Sequence, residues 1–158
     1  AGPLAPLKAT LSAAGWREQP QAGWEDALNL LDIDLADDRQ PVLPATLDTR
    51  AESLLMLRDG DQPGEIYVLR LWPADTRLQP GDVPLWIGSA QVMQQQRAFN
   101  LIRLWRPLRE ARTALDAVTQ ATSDLDHAIA PHPDSGLPVL RLRTEGADVR
   151  PPATSEDK

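Results

Sequence analysis

The sequence predicts an α+β domain: a mainly antiparallel sheet of about four to six strands, two N-terminal helices, and one long helix packed across the sheet. Three observations predict it. Apolar residues recur at spacings of three and four near the start and again after residue 108. Short apolar or alternating runs bounded by turn formers fill the middle. Fifteen prolines, eleven of them gathered at 3–6, 41–44, 80–84, 131–138 and 151–152, punctuate short elements.

Leu4, Leu7, Leu11 and Ala14 form one stripe on a first helix, and Gly15 stands where a left-handed residue would stop it, with Trp16 folding back. A second helix is expected over Trp24–Leu31, with Glu25 and Asp26 in the first turn, where the macrodipole favours acids. Pro41-Val42-Leu43-Pro44 excludes helix and reads as extended. Ser53–Arg58 is an apolar strand closed by the turn-forming stretch Asp59-Gly60-Asp61-Gln62-Pro63-Gly64. Glu65–Trp72 follows, with Ile66, Val68, Arg70 and Trp72 on one face and Tyr67, Leu69 and Leu71 on the other. A connector over 73–84 leads to a strand over Leu85–Met93, and Phe99–Trp105 gives a further one. Modest loops between such strands favour an antiparallel meander.

The long helix is expected over Leu108–Ile129, with Leu108, Ala111, Leu115, Val118, Thr122, Leu125 and Ile129 on its sheet-facing stripe. Pro131-His132-Pro133 ends it, and Leu137–Leu142 is the last strand. The chain divides into one domain, 1–145, and a flexible tail, 146–158.

With 158 residues and 42% hydrophobic content, one real core is within reach. The formal charge of −7 argues against nucleic acid, whose phosphates repel an acidic domain. The absence of cysteine excludes disulfides, thiolate nucleophiles and cysteine zinc sites. No apolar run approaches the roughly 20 residues that span a bilayer. The start at Ala1-Gly2-Pro3, without Met, suggests a fragment or a processed protein.

Several arrangements could carry chemistry. Asp32-Ile33-Asp34 after Leu30-Leu31 imitates the paired carboxylates of a magnesium-dependent phosphohydrolase, one attacking phosphorus and one handling the leaving-group proton. The position two places on is Ala36, and no βα repeat follows. As a calcium loop the segment fails, because Asp37 stands where glycine is required. His127 and His132, five apart across a proline, miss the i, i+4 zinc spacing and read as surface residues near a helix C-terminus. Gly88-Ser89-Ala90 is not a nucleophile elbow. Neither a metal nor any other cofactor is expected. Arg97, Arg103, Arg106, Arg109 and Arg112 fall in a stretch whose single acid is Glu110, and guanidinium forks suit phosphate or carboxylate. Trp72, Trp86 and Trp105 nearby offer amphipathic surface. The plainer alternative is arginines scattered among surface acids.

Four stretches in order carry a resemblance: Ala14-Gly15-Trp16, then Pro41-Val42-Leu43-Pro44 with Arg50, then Val68-Leu69-Arg70-Leu71-Trp72-Pro73, then Pro84-Leu85-Trp86-Ile87-Gly88-Ser89-Ala90. Together they resemble the LssY-type C-terminal domain of bacterial membrane proteins, over roughly residues 5–115. Two features depart from that pattern: an Asp-Pro-Leu-Asn-like opening is missing, and Glu65-Ile66-Tyr67 stands where a basic, His-containing stretch is usual. The resemblance implies a neighbouring DedA-like or type-2 phosphatidic-acid-phosphatase-like membrane segment acting on lipid phosphates. It implies no catalytic residues here, and Trp16, Arg70, Trp72, Trp86 and Gly88 as packing motifs. The expected role is a non-catalytic accessory domain, on the periplasmic side, contacting the membrane portion of its parent protein or lipid phosphates through the arginines. The alternatives are the Asp32/Asp34 phosphohydrolase and an interaction module presenting the 108–129 helix.

Overall fold

The computed structural model describes residues 1–20, 41–98, 102–108 and 111–144. Helix α1 spans Leu4–Ala13, opened by Pro3 at φ −65°. It ends as the sequence requires: Gly15 takes φ +84°, and Trp16 N donates to Leu11 O at 3.0 Å while Gly15 N donates to Ser12 O at 3.1 Å. The turn-back buries Trp16 beside Leu7 and Leu11.

Strand β1 (Arg17–Glu18) begins the main sheet, and β2 (Thr46–Leu47) pairs with β3 (Arg50–Ala51) in a separate small hairpin. Then β4 (Leu54–Asp59), β5 (Glu65–Leu78), β6 (Val83–Ala98) and β7 (Ile102–Pro107) run as an antiparallel meander. The order across the sheet is β1-β4-β5-β6-β7. Helix α2 (Ala111–Ala121) packs on β5 and β6, and β8 (Asp126–Pro131) pairs with β9 (Pro138–Arg143) in a second hairpin.

The sheet is buried on both faces at its centre, which is why β4 reads as an unbroken apolar run. One face carries Leu54, Met56, Tyr67, Leu69, Leu71 and Val92 against Leu7, Leu11, Trp16 and the α2 residues Ala114, Ala117 and Val118. The other carries Leu55, Leu57, Ile66, Val68 and Met93 with Val42, and Trp105 packs at its margin.

The α+β expectation is overturned: the chain is mostly antiparallel β, with two short helices among the described residues. Among the described residues the helix expected over Leu108–Ile129 spans Ala111–Ala121. Thr122 Oγ1 bonds back to Val118 O at 2.8 Å where it ends, and 126–131 pairs with β9 instead of continuing the stripe. Leu125 and Ile129 fit a helical spacing, but the cross-strand partner decides their geometry. The helix expected over Trp24–Leu31 and the tail 146–158 lie outside the described residues.

The connector expected over 73–84 is strand on both sides of a four-residue turn, 79–82. Pro73 is tolerated because it lies beyond the end of β4, where its missing N–H interrupts no ladder bond.

Candidate functional site

Two motif residues, Arg70 and Trp72, share one task with Gln19. Segment 41–45, extended but paired to no strand, lies against the second core face, and three side chains hold it by its backbone. Gln19 forms a two-way clamp on Val42, its amide donating to the Val42 carbonyl at 3.0 Å and its oxygen accepting from the Val42 N–H at 2.9 Å. Arg70 Nη2 donates to the Leu43 carbonyl at 2.8 Å, and Trp72 Nε1 donates to the Ala45 carbonyl at 3.2 Å. Arg70 is 5% exposed, and its Nη1 also meets Glu52 Oε2 at 2.5 Å, a carboxylate that is itself 2% exposed. A buried charge of this kind persists only when it is paired and hydrogen-bonded, as Arg70 is.

Arg50 does comparable work at the rim. Its Nη1 reaches the Pro73 carbonyl at 3.1 Å and Asp75 at 2.8 Å, and its Nη2 reaches Asp48 at 3.3 Å, which ties the β2–β3 hairpin to β5.

Trp86 Nε1 donates to Gly2 O at 2.8 Å, and Gly2 N donates to Pro84 O at 2.9 Å, so residues 1–3 are seated on β6. Gly88 faces Leu71 across the ladder, and a Cβ there would sit 2.6 Å from Leu71 Cδ2 and 3.2 Å from Arg70 O. Glycine at 88 therefore allows the close β5–β6 approach that places Arg70. Trp72 is inside rather than at an amphipathic surface, and Trp86 is half-buried.

A family model described as the LssY C-terminus matches residues 1–109. The chain belongs to the LssY C-terminal family. No curated protein and no solved structure matches it. In this LssY C-terminal chain the matched stretch ends before α2, yet Ala114, Ala117 and Val118 complete the first core cluster, so the fold reaches beyond the match.

The arginines are placed differently. Arg97 and Arg103 occupy directly opposed positions in the β6–β7 ladder. Arg106 pairs with Gln94, three positions from Arg103, an odd step that changes face in a strand. Because β7 is the outer strand of the sheet, positions on its two faces border one rim. Arg106 is exposed and donates to the neutral Gln96 Oε1 at 3.3 Å; Arg112 is exposed on α2. Arg109 lies outside the described residues, as do Asp32 and Asp34. The ion pairs of the described residues engage Lys8, Arg17, Arg50, Arg70 and Arg77, and none involves Arg106 or Arg112.

Among the described residues no group of three His, Asp or Glu could hold a metal ion. The histidines sit on the β8–β9 hairpin rather than at a helix end. His127 Nδ1 lies 2.9 Å from Leu125 O, and His132 Nδ1 accepts from Asp134 N and Ser135 N at 3.3 and 3.4 Å. Ser89 is a half-buried strand residue opposite Arg70. Sequence reasoning missed Glu52 and Gln19. Glu52, placed directly before an apolar strand, could have been suspected as the partner of Arg70; nothing local marks Gln19.

Proposed function

We propose that this LssY C-terminal domain is a non-catalytic accessory module of a membrane-bound, lipid-phosphatase-like protein, docking on or regulating that protein at the periplasmic face. Its contact is the arginine rim, Arg97, Arg103, Arg106, Arg109 and Arg112, directed at lipid phosphates or the membrane portion of the parent. The observation that carries this reading is that Arg106 and Arg112 are exposed and make no ion pair among the described residues, in a chain of net charge −7. A fork left without a carboxylate retains its donors for phosphate oxygens. No helix among the described residues is long and apolar enough to cross a membrane.

The test is co-sedimentation with phosphatidylcholine vesicles, with and without phosphatidic acid, for the natural chain and for Arg103→Ala plus Arg106→Ala. Binding that requires phosphatidic acid and disappears in the double variant is expected. Equal binding by both proteins would overturn the assignment. A net acidic domain makes the control sharp, because adhesion by bulk charge is already disfavoured.

A further inference from the structure

Strand β6 is 16 residues long, but β7 covers only its last third, from Met93 to Ala98. The parity of the remaining edge follows from two bonds on the side away from β5. Gly2 N donates to Pro84 O at 2.9 Å, and Leu108 N donates to Val92 O at 2.8 Å. In a strand the N–H and C=O of one residue point the same way, and alternate residues repeat the direction. Trp86, Gly88 and Ala90 therefore turn their backbone groups outward as Pro84 and Val92 do. The far ladder agrees: Gln95 N, of opposite parity, donates to Gly64 O on the β5 side. Among the described residues nothing hydrogen-bonds the outward N–H and C=O groups of Trp86, Gly88 and Ala90.

This edge lacks the usual protection. It has no charged side chain between Pro84 and Val92 and no proline after Pro84, and the one register shift of the β5–β6 ladder, between Pro73 and Arg77, lies opposite Pro84–Trp86 and leaves the register regular from Trp86 to Ala90. At its centre Gly88 is exposed and has no side chain, and beside it Ile87 is 44% exposed. The chain already uses the edge in one place, because residues 1–3 are seated at Pro84.

We infer that the β6 edge from Trp86 to Ala90 is a docking slot for an extended peptide segment of a protein partner, which adds as a further strand beside the one position that residues 1–3 already occupy. The four steps from residue 86 to residue 90 span about 14 Å, enough for a peptide of about five residues. That length selects the occupant. A second copy presenting its own 16-residue β6 would run past both ends of the slot into Gly2 and Leu108, whereas a short extended segment fits between them. Its side chains would alternate between the face of Gly88 and Ala90, which the Trp86 indole borders at one end, and the face of exposed Ile87. The ligand class is thus an extended peptide with small or branched apolar residues at alternate positions, held chiefly by main-chain bonds.

The probe is acetyl-Val-Thr-Val-Thr-Val-amide, titrated into the ¹⁵N-labelled chain, with versions N-methylated at odd or at even positions. Expected are saturable amide shifts confined to Trp86, Gly88, Ala90 and their neighbours. N-methylation of one parity should weaken binding about tenfold or more by removing the N–H groups that face β6, while the other parity binds as before. Ala90→Pro, which removes an outward donor and leaves the β5 ladder intact, should abolish the shifts with little change in Tm. Absence of saturable shifts at millimolar peptide, equal loss for both parities, or slow exchange of the Gly88 and Ala90 amides before peptide is added would overturn the inference. So would a concentration-dependent dimer that protects the same amides. The N-methylated pair tests the idea even where Ala90→Pro does not fold.

Discussion

Replacing Arg70 with Met is the most informative single perturbation, because it removes a buried guanidinium and leaves its partners in place. Glu52, 2% exposed, would keep its carboxylate in the interior without the cation that now sits 2.5 Å away. The Leu43 carbonyl would lose the donor at 2.8 Å that helps hold segment 41–45. Breaking a buried ion pair from one side costs about 3–5 kcal/mol, and an orphaned carbonyl about 1–3 kcal/mol, although the two overlap when the segment relaxes. Against a total stability of roughly 5–15 kcal/mol this is a large fraction. For a chain of this size it corresponds to a fall in Tm of roughly 6–20 °C. Urea unfolding followed by tryptophan fluorescence measures it, and the double variant Arg70→Met with Glu52→Leu supplies the control. Removing both charges should recover much of the loss, because an apolar pair of similar volume replaces a buried ion pair at little net cost. A loss below about 1 kcal/mol in Arg70→Met, or no recovery in the double variant, would refute the claim that this pair and its carbonyl contact hold the second core face.

Two further outcomes follow from the same packing. Gly88→Ala should destabilise by about 1–3 kcal/mol, since its Cβ would stand 2.6 Å from a buried Leu71 methyl and 3.2 Å from the Arg70 carbonyl; an unchanged urea midpoint would show that β5 and β6 separate freely. Burial raises the phenol pKa of Tyr67 above its ordinary value of 10.0, with the nearby negative charges of Asp61 and Glu65 acting in the same direction. The folded form therefore holds this proton more tightly than the unfolded chain does. Its contribution to stability is complete below about pH 10 and is lost as pH rises through the folded pKa. Tyr67→Phe should flatten the alkaline limb of a Tm–pH profile, and an identical slope in both proteins would show that Tyr67 does not set it.

The sequence carried most of the local structure. The α1 stripe with its Gly15 stop, the apolar β4, the alternation of β5 and the turn at 59–64 each arise from near neighbours, so propensity and periodicity expose them. Among the family motifs, Trp72 and Arg70 are buried and Gly88 lies against Leu71 across the β5–β6 ladder. Where the sequence misled, long-range partners had the final word. Ser123 to Pro131 keeps a helical spacing at Leu125 and Ile129, but pairing with β9 draws 126–131 into a strand. The prolines and glycine of 73–84 suggest a loop, yet Pro73 lies beyond the end of β4, and the β5–β6 ladder resumes after a register shift between Pro73 and Arg77.

The candidate sites divide in the same way. Five arginines close in sequence are visible at once, but only the β6–β7 register shows Arg97 opposite Arg103 and Arg106 an odd step away. The edge at Trp86–Ala90 lies within a family motif, but nothing in that motif marks it as open, because backbone direction depends on which strands lie alongside. What the amino-acid sequence determined by itself was the set of elements whose causes lie within a few residues, together with membership of the LssY C-terminal family. What only the tertiary structure decided was which backbone groups are satisfied and which charges are buried. Those outcomes depend on contacts between residues far apart in the chain, such as Gln19 with Val42 and Trp86 with Gly2.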